Sequence, residues 1–315
     1  MYFRSIDDLN HAIIRNLKKI PQDADLVVGI PRSGLLAANM ISLYLNIPMT
    51  DLAGLGERRL LATGKRPLRS RVDDVFDTAH RIIVVDDCVS TGAEMAKARA
   101  SVAEWGYAER STFVAVYAFP ERTKPADLVF ETVTRPMTFQ WSCMHTPGLE
   151  NKCVDMDGIL CADAGPDEDD DGPRYERFLQ QARPLIIPTR EIGWIVTCRL
   201  EKYREFTEDW LRRHGIAYRN LVMMQYPNKA SRERAQAHAA YKAGVYRESG
   251  ATLFIESNPG LARKIADESG LPVMCFETNE LFKRPVAERL DIVEQRLTFW
   301  WRRLRRAPGR ILGRS

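Results

Sequence analysis

The chain has 315 residues, enough for two domains at the usual ~100–200 residues each. It is 45% hydrophobic and 28% charged, a globular balance, and no run approaches the ~20 apolar residues of a membrane-spanning helix, so such a span is excluded. The net charge of +4 comes from the last 21 residues, which hold seven arginines and no acid; without them 39 basic side chains stand against 42 acidic ones, a balance of −3 that argues against a general nucleic-acid-binding face.

The start, Met1 to Asp8, is polar and carries no apolar signal segment, which argues against export. Asp25 to Ile30 reads as a buried strand, Pro31-Arg32-Ser33-Gly34 as a turn, and Leu35 to Leu45 as an apolar helix. Arg81 to Val85 is a second buried strand, followed by a polar loop and a helix from Ala93 to Trp105; Ser111 to Ala118 is a third strand. Continuous apolar strands, each followed by a helix, predict a parallel sheet covered on both faces. The aperiodic segment 135–151 contains Pro136, Pro147 and Gly148, and the boundary is drawn there, giving domains 1–149 and 150–294 and a tail 295–315. A second alternating pattern follows, with strands at Lys152–Asp155, Trp194–Thr197, Thr252–Ile255 and Val273–Phe276. The six cysteines have no CxxC spacing and fall mostly in apolar runs, which favours reduced, buried thiols in the cytoplasm over disulfides or zinc.

Val84-Val85-Asp86-Asp87-Cys88-Val89-Ser90-Thr91-Gly92 is the informative stretch of the first half. A strand delivers two acids to the carboxyl edge of the sheet, where ligands of such folds bind, and a Ser/Thr/Gly loop opens a helix whose free N–H groups suit a phosphate. Carboxylates can hold the two hydroxyls of a ribose while the loop holds its phosphate. Over residues 1–140 the chain resembles the type I phosphoribosyltransferases, which use phosphoribosyl pyrophosphate (PRPP). Gly29 to Gly34 is similar to that family's pyrophosphate loop. The resemblance implies PRPP binding by Arg32, Ser33, Gly34, Asp86, Asp87, Cys88, Val89, Ser90, Thr91 and Gly92, with magnesium accompanying the pyrophosphate. Glu57-Arg58-Arg59 to Arg69-Ser70-Arg71, with Gly64 and Lys65, is either the family's mobile basic loop or a solvated surface loop. Phe139, Trp141 and His145 either line a hood over the acceptor or pack in the core.

In the second half, Val154-Asp155-Met156-Asp157-Gly158 sets two carboxylates two residues apart on the same side, just past a buried strand. One can attack phosphorus while the other moves the proton. Residues 152–285 resemble the haloacid dehalogenase (HAD) superfamily of phosphatases. The resemblance makes Asp155 the nucleophile, Asp157 the general acid/base and Thr197 the phosphate-binding hydroxyl. It makes Lys242, or alternatively Lys229, the charge-balancing lysine, and Asp155, Asp157, Glu256 and Asn258 the magnesium site. Asn258 departs from the family's usual second acid, although an amide oxygen also coordinates magnesium. Arg199, Tyr203 and Arg204 either recognise the substrate or serve as cap and surface. The segment from Cys161 to Ile192 leaves room only for a small cap.

The expected fold class is therefore α/β, two doubly wound parallel-sheet domains with a short basic amphipathic C-terminal tail. The combination is similar to the paired ribofuranose-installing phosphoribosyltransferase and phosphoribosyl-phosphatase of bacterial polysaccharide biosynthesis. That resemblance implies transfer to a sugar hydroxyl of a lipid-linked saccharide acceptor, then removal of the 5-phosphate. A salvage nucleobase transferase fused to a nucleotidase is the alternative, and a non-enzymatic PRPP sensor a more distant one. Leu297 to Trp301 followed by Arg302 to Arg306 either lies on an anionic membrane, placing the enzyme peripherally at the inner face of the cell membrane, or forms a soluble tail or a helix on a partner subunit. A homodimer is compatible with the resemblance; no nucleic-acid partner is expected.

Overall fold

The computed structural model describes residues 2–63, 75–123 and 125–283. Positions 64–71 of the basic loop and the tail from 295 onward lie outside the described residues. The chain divides into two units, the first through Trp141 and the second from Ser142.

The first unit runs β1 (Tyr2–Arg4), α1 (Ile6–Asn16), β2 (Ala24–Gly29), α2 (Gly34–Leu45), β3 (Met49–Asp51), α3 (Leu52–Glu57), α4 (Val75–Thr78), β4 (Arg81–Val89), α5 (Ala93–Glu104), β5 (Ser111–Ala118), β6 (Leu128–Thr132) and β7 (Met137–Phe139). The main sheet is ordered β3-β2-β4-β5-β6, and all of its pairings are parallel. Successive strand residues point to opposite faces. Val27, Ile83 and Val85 accordingly enter one core cluster with Leu9, Ala37 and Ile41, while Leu26, Val28, Ile82 and Val84 enter another with Met95, Ala98 and Val102. Both faces of the sheet are thus dry, which explains apolar strands without alternation. A separate two-stranded parallel sheet pairs β1 with β7.

The second unit holds β8 (Lys152–Val154), α6 (Pro173–Gln181), β9 (Ile192–Leu200), α7 (Arg204–Arg213), β10 (Tyr218–Met224), α8 (Lys229–Ala235), α9 (His238–Ser249), β11 (Leu253–Glu256), α10 (Pro259–Ser269), β12 (Val273–Cys275) and β13 (Glu280–Phe282). Its sheet is ordered β10-β9-β8-β11-β12-β13, parallel except for the edge strand β13. The strand order reverses beside β8, because β9 and β11 flank it. Ligands of such sheets bind at the carboxyl ends of the strands at this switch point.

The division between the units precedes the sequence-drawn boundary at 149/150. Residues 142–149 belong with the second unit because the buried Lys152 Nζ donates to the Cys143 carbonyl (3.0 Å) and Leu149 is fully buried. Between Cys161 and Ile192 the chain forms one helix, α6, which packs on α7.

Candidate functional sites

In the first unit the two sequence motifs meet. Pairing of β2 with β4 sets Gly29 opposite Val85, and the Ile30 N–H donates to the Val85 carbonyl (2.9 Å). The turn that comes next brings Gly34 so close that a Cβ there would stand 2.8 Å from the Val85 oxygen and 3.2 Å from Asp86 Oδ1. Only glycine lets the turn lie on the acidic strand end. Arg32 is exposed, and the Pro31–Arg32 peptide is cis.

Past Asp87 the chain turns through Ser90 and Thr91, both exposed, and Gly92 (φ 87°) opens α5. A cavity of about 90 Å³ is lined by Asp86, Cys88, Val89, Ser90, Thr91 and Gly92 together with Glu94 and Met95. Burial, and then the adjacent charge of Asp87, push the Asp86 carboxyl up to about 8. Among the described residues neither acid has an ion-pair partner. Sequence reasoning missed Arg135, whose Nη2 donates to the Ser90 carbonyl (3.1 Å) while its guanidinium lies over the Phe119 ring. The aperiodic stretch around Arg135 gave no signal for it.

Phe139 and Trp141 stack with ring centroids 4.5 Å apart and pack against the first unit's core, whereas His145 belongs to the second unit and sits 3.2 Å from Thr189 Oγ1.

In the second unit, β8 ends at Val154 and its neighbour β11 ends at Glu256, so Asp155 and Glu256 share the carboxyl edge of the sheet. Lys242 on α9 is buried between them, its Nζ 2.7 Å from Asp155 Oδ2 and 2.7 Å from Glu256 Oε2. Lys229 points elsewhere, with its Nζ 2.7 Å from Asp169. Of the two lysines, Lys242 is the one placed against Asp155. Despite burial, the two carboxylates hold the Lys242 ammonium well above its usual range. One ammonium does not balance two buried acids, and burial drives Asp155 well above the carboxylate range against the pull of Lys242, with Glu256 adding to the rise.

Arg199 is neither a cap nor a surface residue. It is 1% exposed, and its Nε reaches both Asp157 oxygens (3.2 and 3.1 Å) while its Nη2 reaches Asp157 Oδ1 at 2.6 Å. Burial pushes the Asp157 carboxyl up, but the guanidinium more than offsets this and holds it below its usual value. Asp157 is therefore ionised at neutral pH. The turn behind it requires glycine: Gly158 has φ 77°, and a Cβ there would stand 2.5 Å from the Ser257 side chain.

Thr197 is fully buried, and its hydroxyl accepts the Arg199 N–H at 3.2 Å. Asn258 caps α10, accepting the Leu261 N–H at 2.9 Å. Around these residues lies a cavity of about 260 Å³, whose lining includes Asp155, Asp157, Asp163, Lys242, Glu256 and Asn258.

The four residues expected to hold magnesium are each bonded within the protein. Among the described residues, no group of three or more His, Cys, Asp or Glu side chains is arranged to hold a metal. Both Asp157 oxygens are bound by Arg199, and Glu256 Oε1 already accepts the N–H groups of Ser257 (3.0 Å) and Asn258 (3.2 Å). The clustered oxygen donors suit a hard cation.

No protein-family model matches the chain, and no curated protein matches it. Among solved structures, the purine phosphoribosyltransferase from Pyrococcus horikoshii Ot3 is 18% identical over 44% of this chain and 92% of its own, with a TM-score of 0.34. The Helicobacter pylori xanthine-guanine-hypoxanthine phosphoribosyltransferase is 14% identical over 45% of this chain and 91% of its own, at 0.34. The orotate phosphoribosyltransferase from Aeropyrum pernix is 19% identical over 40% and 70%, at 0.29. A likeness at these scores bears on neither the chemistry nor the substrate of this chain.

Proposed function

We propose that the chain is a bifunctional enzyme: its first unit transfers 5-phosphoribosyl from PRPP to a sugar hydroxyl, and its second removes the 5-phosphate. The observation that carries this reading is that paired acids lie toward the carboxyl end of a central parallel strand in each unit, Asp86 and Asp87 on β4 and Asp155 and Asp157 just past β8, with Asp86, Asp155 and Asp157 lining a cavity. In the transfer, the acceptor oxygen bonds to the ribose anomeric carbon as the bond to pyrophosphate breaks. Asp86 and Asp87 accept the ribose hydroxyls, the loop from Ser90 to Gly92 holds the 5-phosphate, and the turn at Arg32 to Gly34 meets the pyrophosphate. Rate comes from positioning and electrostatics, without a covalent intermediate.

In the second unit Asp155 attacks phosphorus, the bond to the ribose oxygen breaks, and water then cleaves the aspartyl phosphate. Arg199 keeps Asp157 ionised and ready to take the proton of that water, which it then releases to solvent, and the leaving ribose oxygen takes its proton from solvent. Lys242 holds Asp155 in place, and the Thr197 hydroxyl donates to a phosphoryl oxygen. Magnesium, when bound through Asp155 and Glu256 or carried by pyrophosphate, would neutralise phosphoryl oxygens.

The order of the two reactions favours a glycan acceptor. A nucleotide made by the first unit would be degraded by the second with PRPP wasted, whereas a phosphoribosylated sugar becomes a plain ribofuranoside. Fusion keeps the intermediate at high local concentration. The seven arginines and Phe299-Trp300-Trp301 of the tail extend the reading to a lipid-linked acceptor at an anionic membrane. The test is mass spectrometry of saccharide and nucleobase acceptors incubated with PRPP, magnesium and the protein. Ribosylated saccharide is the expected product, and a nucleoside would overturn the assignment.

A further inference from the structure

The cations around the second cavity differ in what they are bonded to. Lys242 is committed to Asp155 and Glu256, and Arg199 to Asp157, with further bonds to Thr207 Oγ1 (3.3 Å) and Cys161 Sγ (3.2 Å). Arg232 on α8 also lines the cavity. Its Nη1 donates to the Cys198 carbonyl at 3.0 Å, which fixes the guanidinium, yet its buried Nε has no hydrogen-bond partner among the described residues. His238, six residues on at the start of α9, lines the same cavity, and its buried Nε2 likewise has no partner among them. A buried donor left unpaired costs about 1–3 kcal/mol, and more when charged. Two such nitrogens on one cavity wall mark where a ligand supplies the missing acceptors. Burial, and then the charges of Arg232 and Lys242, keep His238 below its usual pKa, so it faces the cavity as a neutral imidazole able to pair with a hydroxyl.

We propose that Arg232 and His238 are substrate-binding residues of the second cavity, Arg232 Nε donating to a non-bridging oxygen of a phosphomonoester and His238 Nε2 pairing with a hydroxyl of the sugar that bears it. This rests on the phosphatase reading and sharpens its substrate class. About 260 Å³ accommodates a phosphorylated pentose and leaves whatever the pentose is attached to outside. Arg232 is the cation of the three whose charge is matched by no acid of the described residues, since the other two are held by acids of the protein.

The test compares wild type with Arg232→Gln, Arg232→Lys and His238→Gln. Calorimetry measures binding of inorganic phosphate, and kinetics measures hydrolysis of ribose 5-phosphate and 4-nitrophenyl phosphate. Losing one charge-assisted bond should weaken phosphate binding in Arg232→Gln by about tenfold or more at an unchanged unfolding midpoint, with partial recovery in Arg232→Lys. His238→Gln should lower kcat/KM more for ribose 5-phosphate than for 4-nitrophenyl phosphate. Wild-type phosphate affinity in Arg232→Gln, or a wild type that binds no phosphate, overturns the assignment of Arg232; equal losses on both esters overturn that of His238. If wild type binds phosphate through Arg232 but hydrolyses neither ester, the binding assignment stands and the phosphatase reading falls. Hydrolysis by wild type with an indifferent Arg232→Gln means the reverse.

Discussion

The two acidic strand ends handle charge in opposite ways. Toward the end of β4, Asp86 lines its cavity beside Asp87 with no cation of the described residues paired with either, and burial, then the charge of Asp87, raises the Asp86 carboxyl to about 8. At the end of β8, Lys242 and Arg199 are buried against Asp155, Glu256 and Asp157 before any ligand arrives. The first arrangement suits a substrate that brings hydroxyl donors to otherwise unpaired acids. The second suits chemistry in which the acids themselves react and must be held rigidly beforehand. A pair of acids past an apolar strand thus defines an edge of the sheet, and the surrounding cations decide how that edge is used.

The comparison breaks most visibly through activity. Asp155→Asn should cut phosphate release by on the order of 10³-fold or more while transfer persists, so that acceptor carrying ribose 5-phosphate accumulates in a mass spectrum. The double variant Asp86→Asn with Asp87→Asn should do the converse, blocking adduct formation while a supplied phosphoribosyl adduct is still hydrolysed. Loss of both activities in either folded variant would mean that the sites are not independent.

Stability separates the two edges next. Lys242→Met leaves two buried acids without their cation and should cost about 3–5 kcal/mol in urea unfolding; a cost below about 1 kcal/mol would mean the trio is not buried as described. Gly34→Ala presses a methyl against Val85 and Asp86 and should cost about 1–3 kcal/mol while weakening PRPP binding, both readable on one sample by denaturation and calorimetry.

A smaller effect arises from Asp86. Between its ordinary value of 3.8 and about 8, the folded protein keeps a proton that the unfolded chain has lost. Stability should therefore fall as pH rises through that window and level off above it. Asp86→Asn should flatten this slope, and an unchanged pH profile would count against the raised carboxyl. Smallest of all for soluble acceptors, deletion of 296–315 should leave their turnover nearly unchanged. The same deletion should sharply reduce binding to anionic vesicles, since each interfacial arginine contributes on the order of 1 kcal/mol. Equal vesicle binding with and without the tail would remove the membrane from the picture.

The central strands β2, β4, β5, β8, β9, β11 and β12 were legible because burial on both faces writes itself as continuous apolar runs. The edge strands β3, β6, β10 and β13 were not, since one side of each lacks a neighbouring strand; β10 has only its last two residues buried. The paired acids were legible as local motifs. Arg199 was visible as a residue but not in its role, because its bond to Asp157 spans 42 positions in sequence. Arg232 and Arg135 were invisible for the same reason, bonding to residues 34 and 45 positions away, and no periodicity encodes such a meeting.

Each cavity also carries one cysteine in its lining, Cys88 in the first and Cys198 in the second, and burial pushes both thiols up to about 12. Peroxide and alkylating reagents attack the thiolate, and neither side chain offers one at neutral pH. Alkylation of either thiol in the native protein should therefore be slow, which labelling with iodoacetamide near neutral pH checks. Electrophilic covalent inhibitors aimed at cysteine would find no purchase in either one.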